Sequence, residues 1–160
     1  MLKTHSELAQ HDLVAASVRV ARPQDAAALS DLCAEHALYE GIAFAPQDHA
    51  LRLSHALAAE RLQAWLALRG AEVLGYASVT LDFSTLAASP YAHLDCLYLR
   101  EAARGQGLGR ALMAEVKAFA AAHHCRHLQW QTPPWNVHAM GFYESLGATA
   151  LAKHRFSLAV

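Results

Sequence analysis

The feature that most constrains this chain is a run without a polar face, residues 91–99, that leads into Arg104-Gly105-Gln106-Gly107-Leu108-Gly109-Arg110 and then a long amphipathic segment. A strand that is apolar on both faces belongs inside a sheet. The segment after the turn carries Leu108, Ala111, Leu112, Val116, Phe119 and Ala120 at helical spacing, so a helix with one buried stripe is expected there. The start of a helix has several backbone N–H groups with no intrahelical partner, and the aligned peptide dipoles add partial positive charge. Glycines let an anion approach that backbone closely, and Arg104 and Arg110 flank it. The stretch therefore reads either as a phosphate site or as a glycine-rich connection. It is not a Walker loop, because no Gly-Lys-Ser/Thr follows. Glycines at 105, 107 and 109 also miss the Gly-x-Gly-x-x-Gly spacing of dinucleotide sites.

The rest of the chain supplies the elements of an α/β sheet. Residues 17–22 alternate and stop at Pro23, as a strand does. Asp25 is placed to cap a helix through about Leu38, with Leu29, Leu32, Cys33 and Leu38 as its apolar face and Tyr39-Glu40-Gly41 as its end. A second helix is expected from near Asp48, carrying Leu51, Leu53, Leu57 and Leu62. Residues 63–69 and 73–83 form a hairpin about Gly70-Ala71-Glu72. Val73, Gly75, Ala77, Val79 and Leu81 are expected on one face of its second strand, and Leu74, Tyr76, Ser78 and Thr80 on the other. A loop at 84–90 precedes the central strand. After the long helix, a strand at 127–132 meets Pro133-Pro134. A helix at 136–145 is closed by Gly147 in a left-handed cap, and two short strands are expected near 148–152 and 155–158. The order is β-α-α-β-β-β-α-β-α-β-β. It predicts a single mixed-sheet domain over 17–160, antiparallel in its first half with a β-α-β crossover in its second, behind an arm at 1–16.

Composition narrows the function classes. A net charge of -1 argues against a general nucleic-acid binder. Cys33, Cys96 and Cys125 match no disulfide framework or zinc motif, and they read as small buried hydrophobes in a reducing cytoplasm. The first residues show no signal-peptide pattern, and no uncharged apolar run reaches membrane-spanning length, so a cytoplasmic location is expected. Eleven histidines include the tract His123-His124-Cys125-Arg126-His127. That tract falls at the end of the long helix, where His and Arg suit the dipole, and its spacing fits no metal motif; no metal is expected.

Arg-x-x-Gly-x-Gly after a strand, opening a long helix, resembles the acetyl-CoA signature of the GNAT superfamily of N-acetyltransferases. A second block, Trp135-Asn136 with Ala139, Phe142-Tyr143-Glu144 and Leu146-Gly147-Ala148, resembles the family's other cofactor segment, and the element order matches over residues 18–158. The resemblance implies that the backbone of Leu97, Tyr98 and Leu99 pairs with the pantetheine arm of acetyl-CoA. It implies that Arg104, Gly105, Gln106, Gly107, Leu108, Gly109 and Arg110 hold the diphosphate, that Asn136 contacts the cofactor arm, and that Tyr143 is the general acid. The thiolate leaving group needs such an acid, and the attacking ammonium needs a base. Tyr143 also has the alternative of core packing.

A weaker likeness to the diamine N-acetyltransferases lies in Leu38-Tyr39-Glu40, Gly75-Tyr76-Ala77 and Trp135-Asn136. It places a carboxylate base at Asp95, whose shorter side chain calls for a bridging water; the alternative is an Asp satisfied by backbone or His93. Tyr39, Glu40 and Trp135 become acceptor-side candidates, with a solvated helix-end charge as the alternative for Glu40 and packing beside the prolines for Trp135. The second carboxylate of that subgroup is replaced by Cys96, which removes negative charge and argues against polyamines. The expected activity is acetyl transfer from acetyl-CoA to a small primary amine. A protein or peptide acceptor, or a non-catalytic acetyl-CoA-binding module, stays open, and a homodimer is expected by family analogy.

Overall fold

The computed structural model describes residues 15–160, so residues 1–14 of the expected arm lie outside the described residues. Two compact units are present, one running through Trp130 and one comprising Gln131–Val160. The first contains β1 (Ala16–Val20), α1 (Ala26–Glu40), α2 (His49–Ala58), β2 (Gln63–Arg69), β3 (Glu72–Ser84), β4 (Ser89–Leu99), α3 (Leu108–Ala122) and β5 (Leu128–Gln129). Its sheet has the order β1-β2-β3-β4-β5. Pairing is antiparallel up to β4, and β5 runs parallel to β4. A parallel neighbour needs a crossover, and α3 provides it. This is the mixed α/β sheet expected.

Both faces of the sheet are covered, which explains why Ala64 to Leu68 is buried at every position. Leu66 and Leu68 join Leu29 and Leu32 of α1 and Tyr76 of β3 in one apolar cluster. Trp65 points the other way and meets Phe119 of α3 edge-on, with ring centroids 5.6 Å apart. The α3 stripe is Leu108, Leu112, Met113, Val116 and Ala120. Beyond the last turn of α3, His123 Nδ1 lies 2.9 Å from the Phe119 carbonyl oxygen, so this histidine serves the helix end.

Several expectations change. Leu38 is exposed, because the buried stripe of α1 continues from Leu32 and Cys33 through His36 to Glu40 and leaves Leu38 on the opposite side. Asp25 makes no bond to the first turn of α1. Its carboxylate accepts from Arg22 N–H at 2.7 Å and from the Arg19 guanidinium at 2.7 and 2.8 Å. Val73 packs with the Tyr76 cluster and not with the Gly75 face, because the β2–β3 register steps from Gly75 to Val73 and leaves Leu74 as an extra residue. The loop expected at 84–90 shrinks to a turn, since Ser84 pairs with Ser89. The strand expected at 127–132 is reduced to Leu128–Gln129.

The second unit holds α4 (Val137–Glu144), shorter than the expected 136–145 because Asn136 caps it. Gly147 takes φ 85°, and the N–H groups of Gly147 and Ala148 bond the carbonyls of Glu144 and Tyr143 at 2.9 and 3.2 Å, the expected closure. The two strands expected after it do not form. Residues 148–160 carry no regular secondary structure, and Leu151, Phe156, Leu158 and Val160 are exposed. Alternation marks a segment able to be a strand, but a strand also needs a paired edge.

Candidate active site

The site begins with an interruption in the sheet. β5 pairs with β4 only at Ala92 and His93, with a further bond from Ala92 N–H to the His127 carbonyl at 3.0 Å. From Leu94 to Leu99 no strand among the described residues pairs with that edge. A bulge in β4 lies just beyond the last paired residue. Against β3, Ser78 pairs with Cys96 and Val79 with Leu94, so Asp95 is an extra residue in a bulge. A bulge bends its strand and re-aims its side chain, and this one falls just past the last residue of β4 that pairs with β5.

The backbone on the open edge follows from register. Arg100 N–H bonds the Leu74 carbonyl at 2.9 Å, and Tyr98 pairs with Tyr76. Antiparallel pairs alternate between bonded and non-bonded, so Tyr98 directs its N–H and C=O to β3 while Leu97 and Leu99 direct theirs outward. The Leu99 carbonyl is met by Arg104 Nε at 3.0 Å. The close approach of β3 at this point depends on Gly75. A Cβ there would stand 2.9 Å from Leu99 Cα and collide with the Tyr98 carbonyl oxygen.

The turn after β4 is shaped for an anion. Gly105 and Gly107 have φ of 73° and 80°, conformations that L side chains rarely adopt, and nothing lies within 4 Å of a Cβ added to either. Gly107 is therefore required by conformation and leaves the approach open. The first α3 bond outside the turn is Ala111 N–H to Gly107 O at 3.0 Å, so the amides of Leu108 and Gly109 head the helix. Gln106 is held by Arg69 Nη2 at its oxygen, and its nitrogen donates to the Ala102 carbonyl at 2.7 Å. These groups suit a ligand with an amide-bearing arm, to pair along Leu97–Leu99, and a diphosphate at the helix start.

The α1 face of β4 carries the titratable groups. Arg100 grips Glu35 through Nε and Nη2, at 2.9 and 2.6 Å, and the guanidinium holds the Glu35 carboxyl below its usual range. His36 stacks on the Tyr98 ring with centroids 5.1 Å apart, and its nitrogens reach Tyr76 Oη at 3.1 Å and Glu40 Oε1 at 3.3 Å. Burial pushes the His36 pKa down, against the pull of Glu40 and Asp95. The two contacts suit a neutral ring that donates from Nε2 to the Glu40 carboxylate and accepts at Nδ1 from the phenol, whose proton burial retains. Burial also raises the Cys96 thiol to about 12, so it is no nucleophile near neutral pH. Asp95 is the exposed carboxylate, with Cys96 Sγ 3.7 Å from Oδ2 and His93 Nε2 4.0 Å from Oδ1. Tyr39 lies 6.3 Å from Tyr98, and the Arg104 guanidinium sits 4.9 Å from the Tyr39 ring centre.

The structure thus brings Tyr39, Glu40, Asp95, Leu97, Tyr98, Leu99 and the 104–110 turn into one unit. Trp135, Asn136 and Tyr143 belong to the second unit. There Asn136 Oδ1 accepts from Ala139 N–H at 3.1 Å and caps α4, which leaves its amide nitrogen as a donor. Tyr143 is half-buried beside Phe142, with ring centroids 5.4 Å apart, and Trp135 is exposed. His36 was not foreseen. Its signal was present, since it falls on the buried stripe of α1, four residues before Glu40.

Comparison with known proteins fits this geometry. Residues 27–148 match the model of the Acetyltransferase (GNAT) family. The chain belongs to the GNAT family. Among curated relatives, the thialysine N-epsilon-acetyltransferase of Bos taurus is 32% identical over 99 residues, 62% of this chain and 58% of that enzyme. The match therefore spans little more than half of the relative. The aminoglycoside N(6')-acetyltransferase type 1 of Serratia marcescens is 32% identical over 107 residues, 64% of this chain and 73% of that enzyme. Among solved structures, the aminoglycoside N-acetyltransferase AAC(6')-Iy, in complex with CoA, has a TM-score of 0.77 at 19% identity, covering 91% of this chain and 95% of that one. At that identity the likeness is one of fold.

Proposed function

We propose that this enzyme transfers the acetyl group of acetyl-CoA to a primary amine of a small molecule, by direct attack in a ternary complex. The observation that carries the proposal is the open edge of β4, ending in the Gly105–Gly107 turn. Leu97 and Leu99 offer outward backbone groups to the pantetheine amides, and the amides of Leu108 and Gly109, with Arg104 and Arg110 alongside, meet the diphosphate. The thioester supplies an activated carbonyl. The residues of the chain then do two things. Asp95, exposed on the bulge, takes a proton from the acceptor ammonium through a water. Tyr143 donates a proton to the departing sulfur, and the Asn136 amide nitrogen steadies the arm. The relatives named above act, by their names, on thialysine and on aminoglycosides, both amine-bearing small molecules, which supports an amine acceptor here.

The test is a thiol-release assay with acetyl-CoA against diamines, amino acids and aminoglycosides. Turnover with at least one amine is expected, and no thiol release across the panel would overturn the proposal. Tyr143→Phe is expected to lower kcat about tenfold or more while leaving coenzyme A affinity within about twofold. Equal losses in both would reduce Tyr143 to packing.

A further inference from the structure

Two residues on the buried stripe of α1 break local rules. An apolar residue is expected at position 36, on the face that carries Leu29, Leu32 and Cys33, yet His36 stands there with 13% of its side chain exposed. Glu40 occupies the C-terminal turn of α1, at the negative end of the helix dipole where a carboxylate is disfavoured. Its side chain is 21% exposed. Departures of this kind, with no packing gain to offset them, are expected where function requires them.

The pair is held from several sides. His36 Nε2 lies 3.3 Å from Glu40 Oε1 and Nδ1 3.1 Å from Tyr76 Oη, and the ring face lies against Tyr98 at an interplanar angle of 20°. Tyr98 is in turn tied to Glu35, the partner of Arg100. Glu40 and Asp95 both act electrostatically on this one ring, from α1 and from the β4 bulge. A neutral imidazole orients its carboxylate partner without cancelling the charge.

We propose that His36 is a positioning residue for the acceptor: by holding Glu40 at Nε2 and Tyr98 against its ring, it fixes an anionic wall beside Asp95 that receives the acceptor's ammonium. This rests on the amine-acetylation reading above. The test is steady-state kinetics of the full chain with the best amine from the panel. His36→Leu is expected to raise the amine KM about tenfold, while kcat and the acetyl-CoA KM stay within about twofold. His36→Gln, whose amide can still donate to Glu40 and accept from Tyr76, is expected to recover most of the loss. Glu40→Gln should raise the amine KM by a similar factor, and the double variant no further than the larger single change.

An amine KM within about twofold of wild type in His36→Leu, a parallel loss in both substrates' KM and kcat, or multiplicative effects in the double variant would each overturn the inference. If His36→Leu fails to fold, the cycle of His36→Gln with Glu40→Gln decides: a sub-multiplicative effect supports the coupling, and a multiplicative one overturns it. Wild type inert toward every amine would sink the activity and this role with it. Turnover that is insensitive at position 36 would sink this role alone.

Discussion

Gly75→Ala is the change most diagnostic of how the strand pair serves the cofactor. The added Cβ would sit 2.9 Å from Leu99 Cα and would collide with the Tyr98 carbonyl oxygen. Carbon atoms are comfortable at about 3.5–4.0 Å, so the overlap with Leu99 alone approaches an ångström. Both obstacles are backbone and cannot rotate aside. Forced overpacking of this kind costs about 1–3 kcal/mol. In a chain of this size each kcal/mol lowers Tm by about 2–4 °C, so a fall of about 2–12 °C is expected in a thermal melt. The strands must also part at Leu99, whose outward backbone groups are assigned to the pantetheine arm, so coenzyme A affinity measured by calorimetry should fall with the Tm. Gly41→Ala serves as the control. With φ 69° and nothing within 4 Å of its Cβ, it should lose about 1–2 kcal/mol through backbone conformation alone and leave coenzyme A affinity unchanged. An unchanged Tm in Gly75→Ala would refute the steric reasoning. A lowered Tm with unchanged coenzyme A affinity would refute the link between this strand pair and the ligand.

Other outcomes follow from the same geometry. Leu32→Ala, at a site with no solvent exposure in the α1 cluster, should cost about 2–5 kcal/mol by urea denaturation. Arg19 bonding holds the Asp25 carboxyl down from 3.8 to about 2. A carboxyl depressed on folding adds stability above its unfolded pKa and loses it as pH falls through the folded one. With Arg19 partly exposed, Asp25→Asn should therefore cost about 1 kcal/mol at pH 7, and its difference from wild type should shrink between pH 4 and pH 2. The His36 pKa is lowered by burial, so the unfolded chain takes up this proton first as pH drops below 6.5. Wild type should thus lose stability more steeply than His36→Gln between pH 7 and pH 5 in denaturant titrations; parallel slopes would contradict a buried neutral imidazole.

The glycine turn, the central strand and the long helix were legible because each follows from local chemistry: apolar faces, helical spacing and a backbone that needs positive φ. What escaped sequence reading depends on pairing. Leu74 and Asp95 are extra residues only relative to a partner strand, and no single strand announces that its neighbour will skip a position. The two strands expected after Gly147 do not form, since nothing in a single segment's sequence guarantees an edge to join. Asp25 was read as a helix cap, yet a bidentate Arg19 six residues earlier claims both of its oxygens. His36 went unseen for another reason: the stripe of α1 was extended to Leu38 by hydrophobicity, whereas helical geometry extends it to His36 and Glu40.

The bulge at Asp95 has a consequence for how such a site persists. β4 and β5 are parallel neighbours, but β5 ends at Gln129 and the chain then reaches Pro133-Pro134, which have no N–H for a ladder, so the Asp95 bulge and the proline pair both work against pairing along Leu94–Leu99. Were that edge paired, the backbone groups proposed to meet the pantetheine arm would be consumed by the fold's own ladder. On the proposed reading, binding capacity is a pairing left unfinished. The residue that interrupts the β3–β4 ladder is also the carboxylate proposed as base, so deleting Asp95 would reset the strand's register and remove that base in a single step.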